Sequence, residues 1–370
     1  MPKITPSTAP APAAPARRID DLYEWAGGLK LGGGCGWHLD SRSPRERSFV
    51  SHAHSDHLPW GDRGNTPPDP CKVHGTALCT PATAAIGRYR CGLATRALEH
   101  DYFEHVALDA RHAAELLPAG HVLGSAMLHV TRDDGATLLY TGDYKLRPSR
   151  TLAAAELRPA DVLLMESTFG TPFFRFPPAA EVEARLVELV SDALRHGRQP
   201  IVFGYSLGKA QEIVRILTDA GLTVTQHGAV ARMSEFYGQF GASLGPRSLI
   251  RRYRTEDFAG PGALDLEERG VLVAPPDNAR TGFTLRFGSN VCRIVMTGWS
   301  MFKNAAFRYG VDHALPLSDH ADFDELVETI ERVRPKRILT THGYAEFPDH
   351  LARLGITAEP AKPPAQLTLF

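Results

Sequence analysis

The 370-residue sequence predicts an α/β protein in which a strand-rich unit is interrupted by an inserted, mostly parallel α/β unit. Three observations predict it. Short apolar runs bounded by turn residues fill the chain up to Glu166. From Ala179 to Thr297, apolar residues at helical spacing alternate with short apolar strands. Histidines suited to one chemistry lie on both sides of that middle stretch, near 52–57 and 121 and again at 320 and 342. If they share a site, the middle stretch is an insertion.

Taken in order, Met1 to Ala16 is rich in Pro, Ala, Ser and Thr and lacks the apolar core of a signal peptide. Such a composition buries too little apolar surface to offset ordering, so a disordered tail is expected over 1–19. Ser48 to Ser51, Ala77 to Cys79, His105 to Leu108 and Ala114 to Leu117 read as strands. Ala126 to Thr131 and Thr137 to Tyr140 flank Asp133-Asp134-Gly135, a hairpin signal. Asp161 to Glu166 reads as a buried strand ending on an acid. Phe173 to Pro178 is a Pro/Phe-rich link and marks the first boundary, giving 20–176 for the first part. In the insertion, 177–300, Ala179 to His196 and Lys209 to Thr218 read as helices, and Pro200 to Phe203, Leu222 to Gln226, Val271 to Ala274 and Arg293 to Thr297 as strands. The chain then returns over 301–357 with an amphipathic helix, Asp322 to Val333, and a strand, Arg337 to Thr341, before a tail at 358–370. No internal repeat is visible.

Composition narrows the class. Hydrophobic residues make up 43% and charged residues 22%, ordinary values for a globular protein. The formal net charge of −1 excludes a global basic field, so a polyanion would need a local patch or bound metal. Cys35, Cys71, Cys79, Cys91 and Cys292 form no C-x-x-C pair, which argues against a zinc finger, and their odd number argues against a closed disulfide framework. A reducing cytoplasm fits that usage. No apolar run is long enough to span a bilayer.

The strongest local signal is His52-Ala53-His54-Ser55-Asp56-His57, four metal-ligand side chains in six positions directly after a strand. His52 and His54, two apart, project to one side, and Asp56 and His57 follow as the chain turns. Imidazole with carboxylate suits zinc, manganese or iron. His121 between Gly120 and Gly124, and Asp143 after the strand Leu138 to Tyr140, would each be weak alone; in this order they complete a set large enough for two metals, with Asp143 able to bridge. Two metals together acidify a water and polarise a phosphoryl oxygen, which is why this chemistry needs more than four ligands of mixed type.

In this order these residues resemble the metallo-β-lactamase superfamily. Glu166 in Leu164-Met165-Glu166-Ser167-Thr168, His320 in Ser318-Asp319-His320-Ala321-Asp322 and His342 in Thr341-His342-Gly343 resemble motifs A, B and C of its nucleic-acid-processing β-CASP branch. Tyr205 to Glu212 resembles the segment opening a helix of the inserted β-CASP domain, and the resemblance runs from about Tyr23 to about Gly355. Cys79 to Thr83, Ala274-Pro275-Pro276 and Thr297-Gly298-Trp299 bring it closest to bacterial ligase-associated DNA exonucleases. The resemblance implies a metallo-β-lactamase αββα sandwich with an inserted α/β β-CASP domain. It also implies a two-metal (Zn²⁺ or Mn²⁺) DNA exonuclease of DNA repair, attacking from a 5′ end and functionally associated with a DNA ligase and helicase. It assigns His52, His54 and His121 to one metal and Asp56, His57 and His342 to the other, with Asp143 bridging and Asp56 also catalytic. His320 would be the general acid, Glu166 its orienting partner, and Asp40 would hold ligand histidines from behind. The blander alternatives make Glu166 a strand-end residue, His320 a helix-start residue and His342 a turn residue, and they are the minority readings. Motif C histidine is the usual pattern of RNA-processing members, which keeps RNA as the second substrate.

For substrate handling, Arg42, Arg45 and Arg47, then Lys145, Arg147 and Arg150, then Arg247, Arg251, Arg252 and Arg254 form basic runs. Each alone reads as a solvated face; together they would track a phosphate backbone. Ser206 and Lys209, between a strand and a helix start, are candidate phosphate contacts with Lys145. Trp299, Phe302 and Tyr344 are candidates for stacking on a terminal base or for burial. The C-terminal Gln366-Leu367-Thr368-Leu369-Phe370, beyond a Pro-rich linker, resembles the peptide by which bacterial DNA enzymes dock on the sliding clamp; packing as a last strand is the other reading.

Overall fold

The computed structural model describes residues 18–59, 71–259, 263–276 and 282–362. The expectations for the extreme N-terminal tail and for the Gln366–Phe370 peptide lie outside the described residues.

Period-two alternation builds two stacked sheets. In Leu138, Leu139 and Tyr140 the first and third side chains enter one core and the second enters another; Val162, Leu163, Leu164 and Met165 alternate likewise. The core on one side of this seven-stranded sheet also holds Leu39, Phe49 and Leu78 from a six-stranded sheet, so the two sheets face each other. On the far side, the helix Phe323–Val333 contributes Phe323, Leu326 and Ile330, and the helix Phe347–Arg353 contributes Phe347 and Leu351. Behind the six-stranded sheet, Ala77 and Cys79 meet Ala82 and Ile86 of the helix Pro81–Cys91. The layers are therefore helix, sheet, sheet, helix.

A third sheet of six strands is built between the two parts of this sandwich, and all its pairings are parallel. Val202 and Ile294 on one face pack with Leu186, Ile213 and Val230 of its helices, and Ile201 and Val295 on the other enter a separate core. Its last strand is His313–Leu315, so the sheet runs past the boundary expected at residue 300. That strand is too short to carry a periodic signal, which is why its sequence does not announce it.

After the insertion the chain rejoins the second sheet. Arg337–Gly343 lies parallel to Val162–Ser167, with a register shift between Met165 and Ser167. At Gly343, with φ of +130°, a Cβ would lie 2.0 Å from the Ser167 carbonyl oxygen. Glycine permits this approach, and it brings His342 beside the strand end that carries Glu166.

Candidate metal centre

Five histidines and one aspartate converge where the strands end. His52 and His54 follow the strand Arg47–Phe49; His121 follows the strand His112–Pro118; Asp143 follows the strand Thr137–Tyr140. Gly142 sets the last of these turns: its φ is +53°, and a Cβ there would meet the Ser51 side chain at 2.6 Å. His54 Nδ1 lies 3.1 Å from His52 Nε2 and 3.0 Å from His121 Nε2. Asp143 Oδ2 is 3.7 Å from His52 Nε2, 3.8 Å from His121 Nε2 and 3.3 Å from His57 Nε2, while Oδ1 is 2.7 Å from His342 Nε2. Asp143 thus stands between the His52–His54–His121 group and the His57–His342 pair.

The outward nitrogen of each ring is engaged elsewhere. His54 Nε2 donates to the Leu207 carbonyl at 3.1 Å, and His121 Nδ1 to the Asp319 carbonyl at 2.8 Å. His57 Nδ1 donates to Asp40 Oδ2 at 3.0 Å, and His52 Nδ1 to Ser51 Oγ at 3.0 Å. A ring whose N–H is spent outward presents a bare lone pair inward. At His52, His54 and His121 the inward lone pairs then face one another with no proton to share, a donor set that, with Asp143 beside it, fits a divalent metal ion.

Electrostatics agree for these three rings. At His57 and His342 burial lowers the pKa but is outweighed by Asp143, joined at His57 by Asp40. Both are therefore raised above the ordinary histidine range, and their protons are what a metal would displace. Burial, together with the neighbouring imidazoles, holds His52 and His121 well below the ordinary histidine range, and burial brings His54 down to about 4. Asp143 titrates well below the usual carboxylate range: burial opposes this, and His57, His342 and His320 outweigh it. Asp40 is the hub behind the set. Its carboxylate accepts from Ser51 N at 2.7 Å, Ser51 Oγ at 2.6 Å and Tyr140 Oη at 2.8 Å, besides His57.

Glu166 and His320 form the second element. His320 Nδ1 lies 3.0 Å from Glu166 Oε2, and the fully buried Glu166 also accepts from Tyr144 N at 2.8 Å. Burial lowers the His320 pKa, but Glu166 and Asp143 outweigh it and raise it to about 9. His320 keeps 24% of its side chain exposed and lines a cavity of about 720 Å³ together with His54, Asp143 and His342. Asp322 caps the helix Phe323–Val333 by accepting from Glu325 N at 3.0 Å, the structural role its position predicts.

Comparison with known proteins decides the family. The profile of the Zn-dependent metallo-hydrolase RNA specificity domain matches residues 307–362, the segment holding His320 and His342. The chain is 37% identical over 327 residues to a probable DNA ligase of Opitutus terrae, covering 87% of this chain and 29% of that protein. It is 24% identical to an RNase J-like protein of Methanocaldococcus jannaschii, covering 66% of each. A crystal structure of a protein of unknown function from Enterococcus faecalis V583 shares the fold, with a TM-score of 0.54 and 17% identity over 86% of this chain and 79% of that one. The chain belongs to the β-CASP branch of the metallo-β-lactamase fold. It spans less than a third of the length of the Opitutus protein.

Within this β-CASP protein the remaining candidates divide. Asp56 sits at the cavity rim, 67% exposed, its carboxylate 3.9 Å from His57 Nε2 and outside the tight ligand groups. Ser206 and Lys209 line the cavity, but the Lys209 ammonium is buried and bound to Asp319 Oδ2 at 2.7 Å. Lys145 is also buried, paired with Glu212 at 3.1 Å, and is not among the lining residues; the expected phosphate contact there is replaced by an ion pair between sandwich and insertion. Arg147 is taken by Asp322 and Glu325, and Arg150 by Glu183 and Asp219, so that basic run serves packing. Trp299 and Tyr344 do line the cavity, whereas Phe302 stacks parallel to Trp299 at 6.5 Å outside it. Sequence reasoning missed Ser51, Tyr140, the Leu207 carbonyl and Asp319. The last two act through backbone carbonyls, which leave no mark in a sequence.

Proposed function

We propose that this chain is a metal-dependent phosphodiesterase that degrades DNA from an end, with the 5′ end favoured, in DNA repair. The observation that carries it is the opening of the Glu166-held His320 onto the same cavity as the inward-facing His54, Asp143 and His342. Zinc or manganese, held by His52, His54 and His121 on one side and by His57, His342 and the rim residue Asp56 on the other, would acidify a water and offset charge on the phosphoryl oxygens. Asp143 lies where it would touch both.

The chain's own residues supply the rest. His320 spends Nδ1 on Glu166, leaving Nε2 as the proton donor to the leaving oxygen. A pKa of about 9 keeps that proton in place at neutral pH. Trp299 and Tyr344 give the cavity aromatic walls on which a terminal base would stack. The insertion forms the wall opposite the metal set through Tyr205, Ser206 and Leu207.

The relative named a probable DNA ligase supports DNA as substrate and a partnership with ligation. RNA is the second reading, favoured by the RNA specificity domain match and the RNase J-like relative. The test is cleavage of end-labelled single-stranded and duplex DNA and of RNA, with Zn²⁺ or Mn²⁺, beside Asp56→Ala and His320→Ala. Both variants are expected to lose activity; variants as active as the parent would overturn the site, and RNA degraded with DNA spared would replace the substrate.

A further inference from the structure

The helix Pro81–Cys91 carries two arginines in its last turn, and they turn different ways. A cation there is ordinary, because it offsets the exposed carbonyls at a helix end. Arg88 serves the sandwich, pairing with Glu99 of the strand Ala94–Glu99. Arg90 reaches the metal loop instead. Its Nη1 donates at 2.8 Å to the carbonyl of Ala53, the residue between His52 and His54. Ala53 is fully buried, and a buried carbonyl needs a donor. Two neighbouring carbonyls of the loop are served by backbone, Ser51 by Ala126 N and His54 by His57 N. The Arg90 side chain also lines the metal cavity beside His54, Ser55 and Asp56. Its charge is felt at His54, whose pKa burial lowers, the Leu207 hydrogen bond raises and Arg90 lowers again. Among the described residues the other lysine or arginine on that lining is Lys209, whose ammonium is buried against Asp319 at 2.7 Å. The loop acceptor of Arg90 is a neutral carbonyl, which takes a hydrogen bond without cancelling the charge.

We infer that Arg90 is a positioning residue, its planar fork spanning the Ala53 carbonyl and a non-bridging oxygen of the phosphate held in the cavity. Guanidinium nitrogens lie in one rigid plane, so an arginine fixed by one acceptor presents the rest of its edge at a set place. The fixed acceptor here is the peptide between two ligand histidines. The phosphate is therefore registered against the metal set rather than against the wall that the insertion supplies. The inference rests on the phosphodiesterase reading of the cavity and adds which side chain holds the phosphate there; Lys209 and Lys145 are committed to carboxylates.

The experiment uses the full chain at saturating zinc, with end-labelled strands of whichever nucleic acid the parent cleaves. Each strand carries one neutral methylphosphonate linkage, at a different position near the attacked end. On the all-phosphate strand Arg90→Met is expected to lower kcat/KM on the order of 10–100-fold, the range for one hydrogen bond to a charged group. At one linkage position the methylphosphonate is expected to slow the parent by a similar factor and to leave parent and variant alike, because the contact is already gone. A residue that merely braced the loop would slow every strand equally. Arg90→Lys keeps the charge without the fork; it is expected to fall between the parent and Arg90→Met, and it carries the test if Arg90→Met does not fold. Zinc content by elemental analysis is expected to match the parent in both variants. Equal losses on every strand would overturn the inference, as would zinc loss from Arg90→Lys large enough to account for its lost rate. A parent that cleaves strands no faster than Arg90→Met does would overturn this inference alone. A parent that cleaves neither DNA nor RNA would overturn the phosphodiesterase reading, and this inference with it.

Discussion

Asp40→Asn tests how far the metal set depends on groups that never touch metal. Asp40 has a φ of +45°, a left-handed conformation that asparagine tolerates as well as aspartate, so the backbone is left alone. The carboxylate accepts four hydrogen bonds: one on Oδ1 from Ser51 N, and three on Oδ2 from Ser51 Oγ, Tyr140 Oη and His57 Nδ1. An amide has one carbonyl oxygen. Its better orientation keeps the Oδ2 partners and turns the NH₂ toward Ser51 N, donor against donor. One buried N–H then loses its acceptor, about 1–3 kcal/mol, and the other three bonds lose a charged acceptor. Relief from burying a charge offsets part of this, leaving about 2–4 kcal/mol of lost stability. His57 also loses the anion that accepts from its Nδ1–H, so the ring orientation that aims Nε2 at Asp143 is no longer fixed. Such partners of ligand histidines are worth about 10–100-fold in metal affinity. The assay is competition for zinc against a chromophoric chelator, with thermal melting beside it. Zinc affinity and melting both equal to the parent would refute the claim that Asp40 organises the set.

Other perturbations follow from the same geometry. His320→Ala is expected to lower kcat by about 10²–10⁴-fold with zinc content unchanged; loss of zinc in that variant, measured by elemental analysis, would make His320 a ligand. Because Glu166 and Asp143 raise His320 to about 9 against burial, turnover should hold below about pH 9 and fall above it, and Glu166→Gln should move that fall toward the ordinary histidine value of about 6.5 in a pH–rate profile. Asp319 is brought down to about 2: burial opposes this, and Lys209, Lys145 and His121 outweigh it. A lowered folded pKa means stability that is present above the unfolded value of 3.8 and lost as pH falls through about 2, here about 2 kcal/mol, readable as a drop in unfolding free energy between pH 5 and pH 2. Lys209→Met should cost about 3–5 kcal/mol by leaving Asp319 buried and unpaired, and Lys209→Met/Asp319→Leu should recover much of it in chemical denaturation.

The parts legible in the sequence are those where local pattern and tertiary contact agree. Leu138–Tyr140 and Val162–Met165 alternate because each strand separates two cores, and the alternation is written in the residues themselves. The helix Pro81–Cys91 was not read as one because it is alanine-rich with Gly87 inside, so its buried face carries little hydrophobic contrast. Its Thr80 cap, accepting from Thr83 N at 3.2 Å, and Pro81 in the first turn were the available signals. The convergence of the candidate ligands was legible, Asp56 at the rim excepted, because imidazoles and carboxylates clustered at strand ends have few other uses. The basic residues were misread for the opposite reason. A sequence shows that Lys145, Arg147 and Arg150 are cations, but not that Glu212 and Glu183 wait across the junction with the insertion, and Asp322 on the returning part of the sandwich, to take them.

That junction bears on how the metal set is completed. The insertion supplies the Leu207 carbonyl that takes the His54 N–H, and Lys209, whose ammonium offsets the Asp319 carboxylate one residue before His320. The Asp319 carbonyl in turn takes the His121 N–H. Two of the three histidines around the first metal position therefore have their inward lone pairs fixed by segments that arrive only when the insertion is docked and the chain has returned from it. Glu212 and Lys145 clamp the same contact from the other side. A sandwich folded without its insertion would keep His52, His57 and Asp143 in register with Asp40 but leave His54 free to rotate or protonate. Metal loading is therefore expected to depend on docking of the insertion, because Leu207, which lines the cavity, also takes the N–H that sets the tautomer of His54.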